Sequence, residues 1–151
     1  MRKILVTLAA MVVAALGLAA PSSATSSAAD QPIVLVNEKG ESIRVVPVRA
    51  SEVGVLAFSD CPNGYGCFWA GLNGSGSRWD APQCTGGGYY NLSGSWLDNN
   101  IESVRNRGGG TIHLYYNSTA NDYMRSIENN GVGVNLSDGH RNQASSIRID
   151  C

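Results

Sequence analysis

Four cysteines carry the most definite chemistry in this sequence of 151 residues, at positions 61, 67, 84 and 151. An even number of cysteines in a small exported chain predicts disulfide bonds, and three pairings are possible. The turn-forming residues between Cys61 and Cys67 favour a bond there. That bond would leave Cys84 to pair with Cys151 and to tie the C-terminus to the middle of the chain.

Two histidines are the other candidates for chemistry. His113 lies in an alternating stretch, on the face opposite Ile112 and Leu114, which predicts an exposed strand residue rather than a general base. His140 follows a predicted turn. A zinc site is not expected, because the cysteines lack the Cys-x-x-Cys spacing and only these two histidines could assist them. Serine-hydrolase, metalloprotease and phosphate-loop motifs are absent from the sequence. We therefore predict a protein that is not an enzyme and needs no cofactor.

The N-terminus predicts export. Met1-Arg2-Lys3 precedes an apolar run over residues 4–20, and a stretch rich in serine and alanine follows. This pattern is typical of a secretory signal peptide. The alternative is a membrane anchor, but the apolar run is only just long enough to cross a bilayer as a helix. We predict a signal peptide over residues 1–29 and a secreted, extracellular protein with no membrane contact after cleavage.

Charge and composition narrow the class of the remaining chain. Residues 30–151 contain nine basic and twelve acidic side chains, a net charge of −3, and form no basic stripe. A nucleic-acid partner is therefore not expected. Glycine, asparagine and serine are abundant and long periodic helices are absent, which predicts an all-β fold of short strands and turns.

Residues 30–60 form a separate region in the sequence. Two β-rich runs, over 33–36 and 42–48, flank a polar turn that contains Gly40, and this pattern predicts a β-hairpin. Pro47 favours an edge strand, since proline cannot donate a hydrogen bond to a neighbouring strand. The region is either a hairpin packed on the main domain or a pro-segment that is later removed.

Residues 61–151 contain an internal repeat with a period of about 44 residues. Asn91-Leu92-Ser93 recurs as Asn135-Leu136-Ser137, and Asn99-x-x-x-Ser103-Val104-Arg105 recurs as Asn142-x-x-x-Ser146-Ile147-Arg148. Each unit has room for four short strands. The repeat therefore predicts two Greek-key motifs that form one β-sandwich.

A set of motifs in this region identifies a family. They are Cys61-Pro62-x-Gly64-Tyr65-x-Cys67-Phe68-Trp69, Trp79, Cys84, Asn91-Leu92, Trp96-x-Asp98-Asn99-x-x-x-Ser103-Val104-x-Asn106, Val132-x-Val134-x-Leu136 and Asn142-x-x-Ser145-Ser146-Ile147. Over residues 61–151 they resemble peptidase inhibitor family I36, small secreted proteins, largely of actinobacteria such as Streptomyces, that are related in fold to the βγ-crystallins. The resemblance implies a monomeric inhibitor of an extracellular protease, most specifically a thermolysin-type metalloproteinase.

An inhibitor of this kind presents a rigid extended segment to the protease. The family's reactive segment is a disulfide-clamped loop in the later half of the domain, and this chain has no cysteine between 84 and 151 to form one. Two other segments are candidate inhibitory loops. One lies between the first two cysteines and contains Asn63, Gly64 and Tyr65; the other spans 78–86 and contains Pro82, Gln83, Cys84 and Thr85.

The repeated corner motifs allow a structural and a calcium-binding interpretation. We expect Asn99 and Asn142 to hold turns and Ser103 and Ser146 to bond nearby backbone. In calcium-binding βγ-crystallins the same motif supplies oxygen ligands, which would make Asp98, Asn99, Asn142 and Ser145 weak calcium candidates. Both copies are degenerate, however, with Glu102 and Arg141 at ligand positions.

The tyrosines suggest a further alternative. Tyr89-Tyr90 and Tyr115-Tyr116 are adjacent pairs, and in a strand one member of each pair faces outward. Outward tyrosines commonly shield sheet surface. They would also suit a carbohydrate or cell-wall binding module, which is the alternative to an inhibitor and to a calcium-binding crystallin module.

Overall fold

Ten short strands make up the fold in a computed structural model, which describes residues 32–48, 57–82 and 88–150. The strands are β1 (Ile33–Val36), β2 (Ser42–Val48), β3 (Tyr65–Trp69), β4 (Arg78–Pro82), β5 (Tyr89–Asn91), β6 (Ser103–Asn106), β7 (Ile112–Tyr115), β8 (Tyr123–Ile127), β9 (Gly133–Asn135) and β10 (Ser146–Ile149). The predicted all-β class is confirmed. Among the described residues no helix is long and apolar enough to cross a membrane. The predicted signal peptide, residues 1–29, lies outside the described residues.

The predicted pair of Greek keys is confirmed by the pairing of strands β3 to β10. These strands form two four-strand units, β3–β6 and β7–β10, and each unit sends its third strand into the other unit's sheet. β5 pairs with β10, and β9 pairs with β6. The first sheet therefore contains strands in the order β4-β3-β6-β9. The second sheet contains the equivalent strands in the equivalent order, β8-β7-β10-β5.

The sequence repeat is also a repeat in strand register. Cys67 lies opposite Arg105 and Phe68 opposite Val104 in the first unit. In the second unit His113 lies opposite Arg148, and Leu114 opposite Ile147. Positions 67 and 113, and positions 105 and 148, are thus structurally equivalent.

The main core lies between the two sheets. Alternate residues of each strand point into it, as period-two patterning requires. Trp79 stacks there against Trp96 with ring centroids 4.3 Å apart. Its other large buried members are Phe68, Tyr90, Leu92, Ile101, Val104, Ile112, Leu114, Ile147 and Ile149.

The β1–β2 hairpin extends the first sheet to six strands, because β2 pairs with β4. Leu35 and Val45 of this hairpin enter the main core, and Asn37 forms an isolated bridge with Tyr90 of β5 in the second sheet. Although β2 lies between two strands, its pairing with β1 ends at Val45, so Pro47 is paired on one side only. The proline therefore occupies a position where a missing N–H group is tolerated.

Candidate functional site

The disulfide between Cys61 and Cys67 is present, with an S–S distance of 2.00 Å. It joins strand β3 to the segment before it, and both cysteines are buried against Trp69. Between them Pro62, Asn63 and Gly64 form an exposed turn, which we call the end loop. The predicted pairing of the other two cysteines lies outside the described residues.

The end loop is fixed by Arg107 as well as by the disulfide. The Gly64 N–H donates to the Arg107 carbonyl at 2.9 Å, and the Arg107 N–H donates to the Tyr65 carbonyl at 3.0 Å. The Arg107 guanidinium donates to the Cys61 carbonyl at 2.6 Å. Gly64 has a φ of +83°, a left-handed conformation that favours glycine. The loop is therefore held from both ends.

The second candidate segment is not a loop over its first five residues. Residues 78–82 form strand β4, in which Trp79 and Ala81 are buried, and Tyr65 of the first segment belongs to β3. The alternation of these residues predicts a strand, and proline suits the end of one. Tyr65 pairs with Pro82, so β4 ends beside the end loop. Gln83, Cys84 and Thr85 lie outside the described residues.

Residues 57–61, the covering segment, cross the outer face of the first sheet. Phe58 packs on Trp69 with ring centroids 5.4 Å apart and planes at 87°. It also lies over Gly133, where an added Cβ atom would overlap the Phe58 ring. The covering segment, Cys67, Trp69 and Val48 thus form a second, small core outside the sandwich.

Three arginines bond the backbone carbonyls of the covering segment. Arg78 donates to the Asp60 carbonyl at 2.8 Å, Arg105 donates to the Phe58 carbonyl, and Arg107 donates to Cys61 as described above. Arg78 also forms an ion pair with Asp80 at 2.7 Å. Burial raises the pKa of Asp80, and the bond from Arg78 offsets only part of this effect.

The two corner motifs have equivalent geometry. Asn99 and Asn142 have φ values of +54° and +55°, the left-handed region that asparagine tolerates better than most residues. The Ser103 hydroxyl donates to the Gly71 carbonyl at 2.6 Å, and the Ser146 hydroxyl donates to the Asn117 carbonyl at 2.6 Å. Each serine thereby ties the loop between the first two strands of its unit to the sheet.

The calcium candidates are divided between two contacts. The Ser145 hydroxyl donates to Asp98 at 2.7 Å and lies 3.4 Å from the Asn99 side-chain oxygen. Asn142 instead donates its amide to Glu102 at 2.8 Å. The described residues contain no group of three or more His, Cys, Asp or Glu side chains arranged to hold a metal. One corner therefore brings together three side chains with oxygen atoms, those of Asp98, Asn99 and Ser145. At the equivalent corner the Asn142 amide occupies the Glu102 carboxylate instead.

His113 belongs to a hydrogen-bonded row on the outer face of the second sheet. Its Nδ1 lies 2.7 Å from the Ser126 hydroxyl, and its Nε2 lies 2.9 Å from Asp150. Tyr123 donates to Ser126 at 2.9 Å, and Arg148 donates to Asp150 at 2.6 Å. Serine hydrolases join these residue types through the opposite ring nitrogens. The sequence predicted the outward direction of His113 but not this row, because the row depends on strand register.

Partial burial alone would raise the pKa of Asp150. Hydrogen bonds from Arg148 and His113, together with their charges, lower the pKa below its usual value overall. The carboxylate is therefore the anionic centre of the row.

Comparison with known proteins shows which family part of this chain resembles. Residues 56–127 match the model of peptidase inhibitor family I36. This part of the chain is similar to the I36 inhibitors. The resemblance predicted from the sequence is confirmed, and the match includes the Cys61–Cys67 disulfide and the end loop. A peptidase-inhibitor family implies a protein that binds a protease partner and is not itself an enzyme.

The fold of this chain is that of the βγ-crystallins. A solved structure described as "Evolution of the eye lens beta-gamma-crystallin domain fold" superposes with a TM-score of 0.51 and 17% identity, covering 69% of this chain and 94% of that chain. At this identity the likeness establishes the fold alone. No curated protein matches the sequence.

Proposed function

We propose that this protein is a secreted inhibitor of an extracellular metalloproteinase and that its end loop enters the protease cleft. The I36 match supports inhibition of a peptidase, and the family resemblance supports the metalloproteinase class. The basic and apolar N-terminal sequence supports export. The inhibitor works as a monomer without a cofactor, since a rigid loop alone can provide the contacts.

The observation that carries the loop assignment is its fixation at both ends. The disulfide and Arg107 hold the end loop in one conformation, while Asn63 and Gly64 stay exposed and Tyr65 is 39% exposed. A loop that is ordered before binding loses little conformational entropy in the complex. Tyrosine is enriched among residues that dominate binding energy, so Tyr65 is the expected anchor.

The test is an inhibition assay with purified protein against one thermolysin-type metalloproteinase, one serine protease and one cysteine protease. We expect inhibition of the metalloproteinase alone. Tyr65→Ala should raise the inhibition constant about 30-fold, as expected for an interface anchor worth about 2 kcal/mol. Tyr123→Ala, which removes a tyrosine that is 57% exposed on the other sheet, should leave the inhibition constant unchanged.

Three results would contradict the proposal. A protein that leaves all three proteases active at micromolar concentration is not an inhibitor of these classes. Inhibition of only the serine or cysteine protease would contradict the metalloproteinase class. Equal losses in the Tyr65→Ala and Tyr123→Ala variants would contradict the end loop as the contact site.

Calcium binding at one corner is a second candidate, supported by the Ser145–Asp98 contact. Asp98, Asn99 and Ser145 offer hard oxygen ligands of the kind that Ca²⁺ prefers. The equivalent corner has Glu102 bonded to Asn142 and the cationic Arg141 nearby in sequence, so at most one ion is expected. Calcium should raise the melting temperature of the wild type but not of Asp98→Asn. Equal melting temperatures with calcium and with a chelator would reject this candidate.

A further inference from the structure

The outer faces of the two sheets are equivalent by register, but they differ in what lies on them. One row across the first sheet contains Gly133, Arg105, Cys67 and Asp80, in that order. The equivalent row across the second sheet contains Tyr89, Arg148, His113 and Ser126. In the next row Tyr115 takes the position of Trp69. The repeat therefore allows a direct comparison of the two surfaces.

On the first sheet this surface binds a short piece of the protein's own chain, in which Phe58–Asp60 form one turn of 3-10 helix. Phe58 packs its ring on Trp69, and Arg105 donates to the Phe58 carbonyl. Arg105 is itself positioned by its Nε, which donates to the Gly131 carbonyl at 2.7 Å. The arginine thus uses one nitrogen to fix its place and another to bind a backbone carbonyl.

On the second sheet the equivalent groups are partly exposed, and we call this surface, formed by Arg148, Tyr115 and Tyr123, the open face. Arg148 is fixed through its Nε by Asp150 at 2.6 Å, and 45% of its side chain remains exposed. Tyr115 packs against Tyr123 with ring centroids 6.1 Å apart, and Tyr123 is 57% exposed. An anchored arginine and an aromatic pair therefore occupy the positions that hold the covering segment on the first sheet.

We propose that the open face binds a short peptide segment of a second protein, one that carries an aromatic side chain. Arg148 donates to a backbone carbonyl of the segment, as Arg105 does to Phe58, and an aromatic side chain of the segment packs on Tyr115 and Tyr123. The occupant is inferred from the covering segment, which shows what chemistry this arrangement of strands accepts. Tyrosine and arginine are also the residue types enriched where proteins bind each other. The site is separate from the end loop and goes beyond protease inhibition.

One difference between the two faces determines where the partner's aromatic side chain can lie. Phe58 lies over Gly133 on the first sheet, and Tyr89 takes the position of that glycine on the second. A partner ring cannot lie over Tyr89 in the same way. It must lie on the other side of Arg148, toward Tyr115 and Tyr123, which is where an exposed ring is available.

The test uses a capped peptide with the sequence Ala-Phe-Ser-Asp-Ser, which reproduces residues 57–61 with serine in place of the cysteine. It is titrated into isotope-labelled protein while NMR shifts are recorded, with no protease present. We expect shifts confined to the open face and a dissociation constant of about 1 mM, as for a small contact. Replacement of the peptide's phenylalanine by alanine should abolish them.

Variants on the open face separate this site from the rest of the surface. Arg148→Gln and Tyr123→Ala should each weaken peptide binding at least about 5-fold, a modest effect for an arginine or tyrosine contact. The matched control Arg44→Gln removes an exposed arginine of β2 and should leave binding unchanged. Melting curves establish that each variant is folded.

Several outcomes would overturn the proposal. One is an absence of NMR shifts at a peptide concentration about 10-fold above the expected dissociation constant. Another is a set of shifts located away from the open face. A third is that Arg44→Gln weakens peptide binding as much as the open-face variants do. Shifts on the open face with chitin or cellulose oligosaccharides but not with the peptide would assign the surface to carbohydrate instead. None of these results depends on whether the end loop inhibits a protease.

Discussion

At the scale of single residues, three arginines hold the covering segment by its backbone. Arg78, Arg105 and Arg107 each donate to a carbonyl of the covering segment. A hydrogen bond from a charged donor contributes about 1.5–3 kcal/mol, more than one between neutral groups. These contacts join residues that are far apart in the sequence, so their partners could not be predicted from residue spacing.

Asp150 should stabilise the folded protein at neutral pH and lose this effect in acid. Its pKa is lowered in the folded state, so its contribution is present above the unfolded pKa of about 3.9 and disappears as the pH falls through the folded value. The ion pair with Arg148 is partly exposed. We therefore expect Asp150→Asn to reduce the free energy of unfolding by about 0.5 kcal/mol at pH 7, measured by urea denaturation.

The same comparison at pH 2 to 3 should show a smaller difference between the variant and the wild type, because the carboxyl becomes protonated there. Asp138→Asn is the matched control, since Asp138 also faces an arginine but keeps 93% of its side chain exposed. A loss at pH 7 that is equally large in acid would show that charge is not the cause.

At the scale of elements, local patterns were predictable and contacts between elements were not. The repeated Asn-x-x-x-Ser spacing predicted corners, and both asparagines have left-handed backbone angles. Two β-rich runs around a polar turn predicted the hairpin of β1 and β2, and alternation predicted the strand that contains His113. The covering segment was missed because its Ala-Phe-Ser-Asp sequence has no pattern of its own. The one sign of the covering segment in the sequence is Gly133, because the equivalent position in the other repeat is Tyr89.

Gly133 should be coupled to Phe58. A methyl group at position 133 would overlap the phenylalanine ring, so Gly133→Ala should destabilise the protein by about 1–3 kcal/mol, as overpacking does. In the Phe58→Ala background the same change should cost far less, because the ring is gone. A double-mutant cycle of unfolding free energies measures this coupling. Additive effects would mean that the ring does not press on position 133.

At the scale of the whole molecule, the exchange of β5 and β9 makes one core from two repeats. The sequence predicted the two Greek keys but not the role of the N-terminal hairpin. The β-rich runs over 33–36 and 42–48 predicted two strands, but not that β2 would pair with β4. Pairing with a distant strand depends on which edge remains uncovered after the sandwich forms, and that edge is a property of the assembled sheets.

The hairpin should contribute to stability rather than be dispensable. Leu35 is 4% exposed and packs in the main core, whereas its neighbour Val34 is 62% exposed. Leu35→Ala should therefore lower the free energy of unfolding by about 2–5 kcal/mol, while Val34→Ala should change it by less than about 0.5 kcal/mol. Equal, small effects in urea denaturation would indicate that the hairpin is only loosely attached and could be removed as a pro-segment.

The exchange of the third strands also makes the two units depend on each other. A lone unit of this type lacks the strand that completes its own sheet and offers one that it cannot use itself. Two separate copies of such a unit could complete each other's sheets by exchanging these strands, as a symmetric dimer with swapped elements does. The sequence repeat places two such units in one chain, so the exchange occurs within a single molecule. On the two equivalent outer surfaces, one unit then carries a cover from its own chain and the other carries exposed tyrosines.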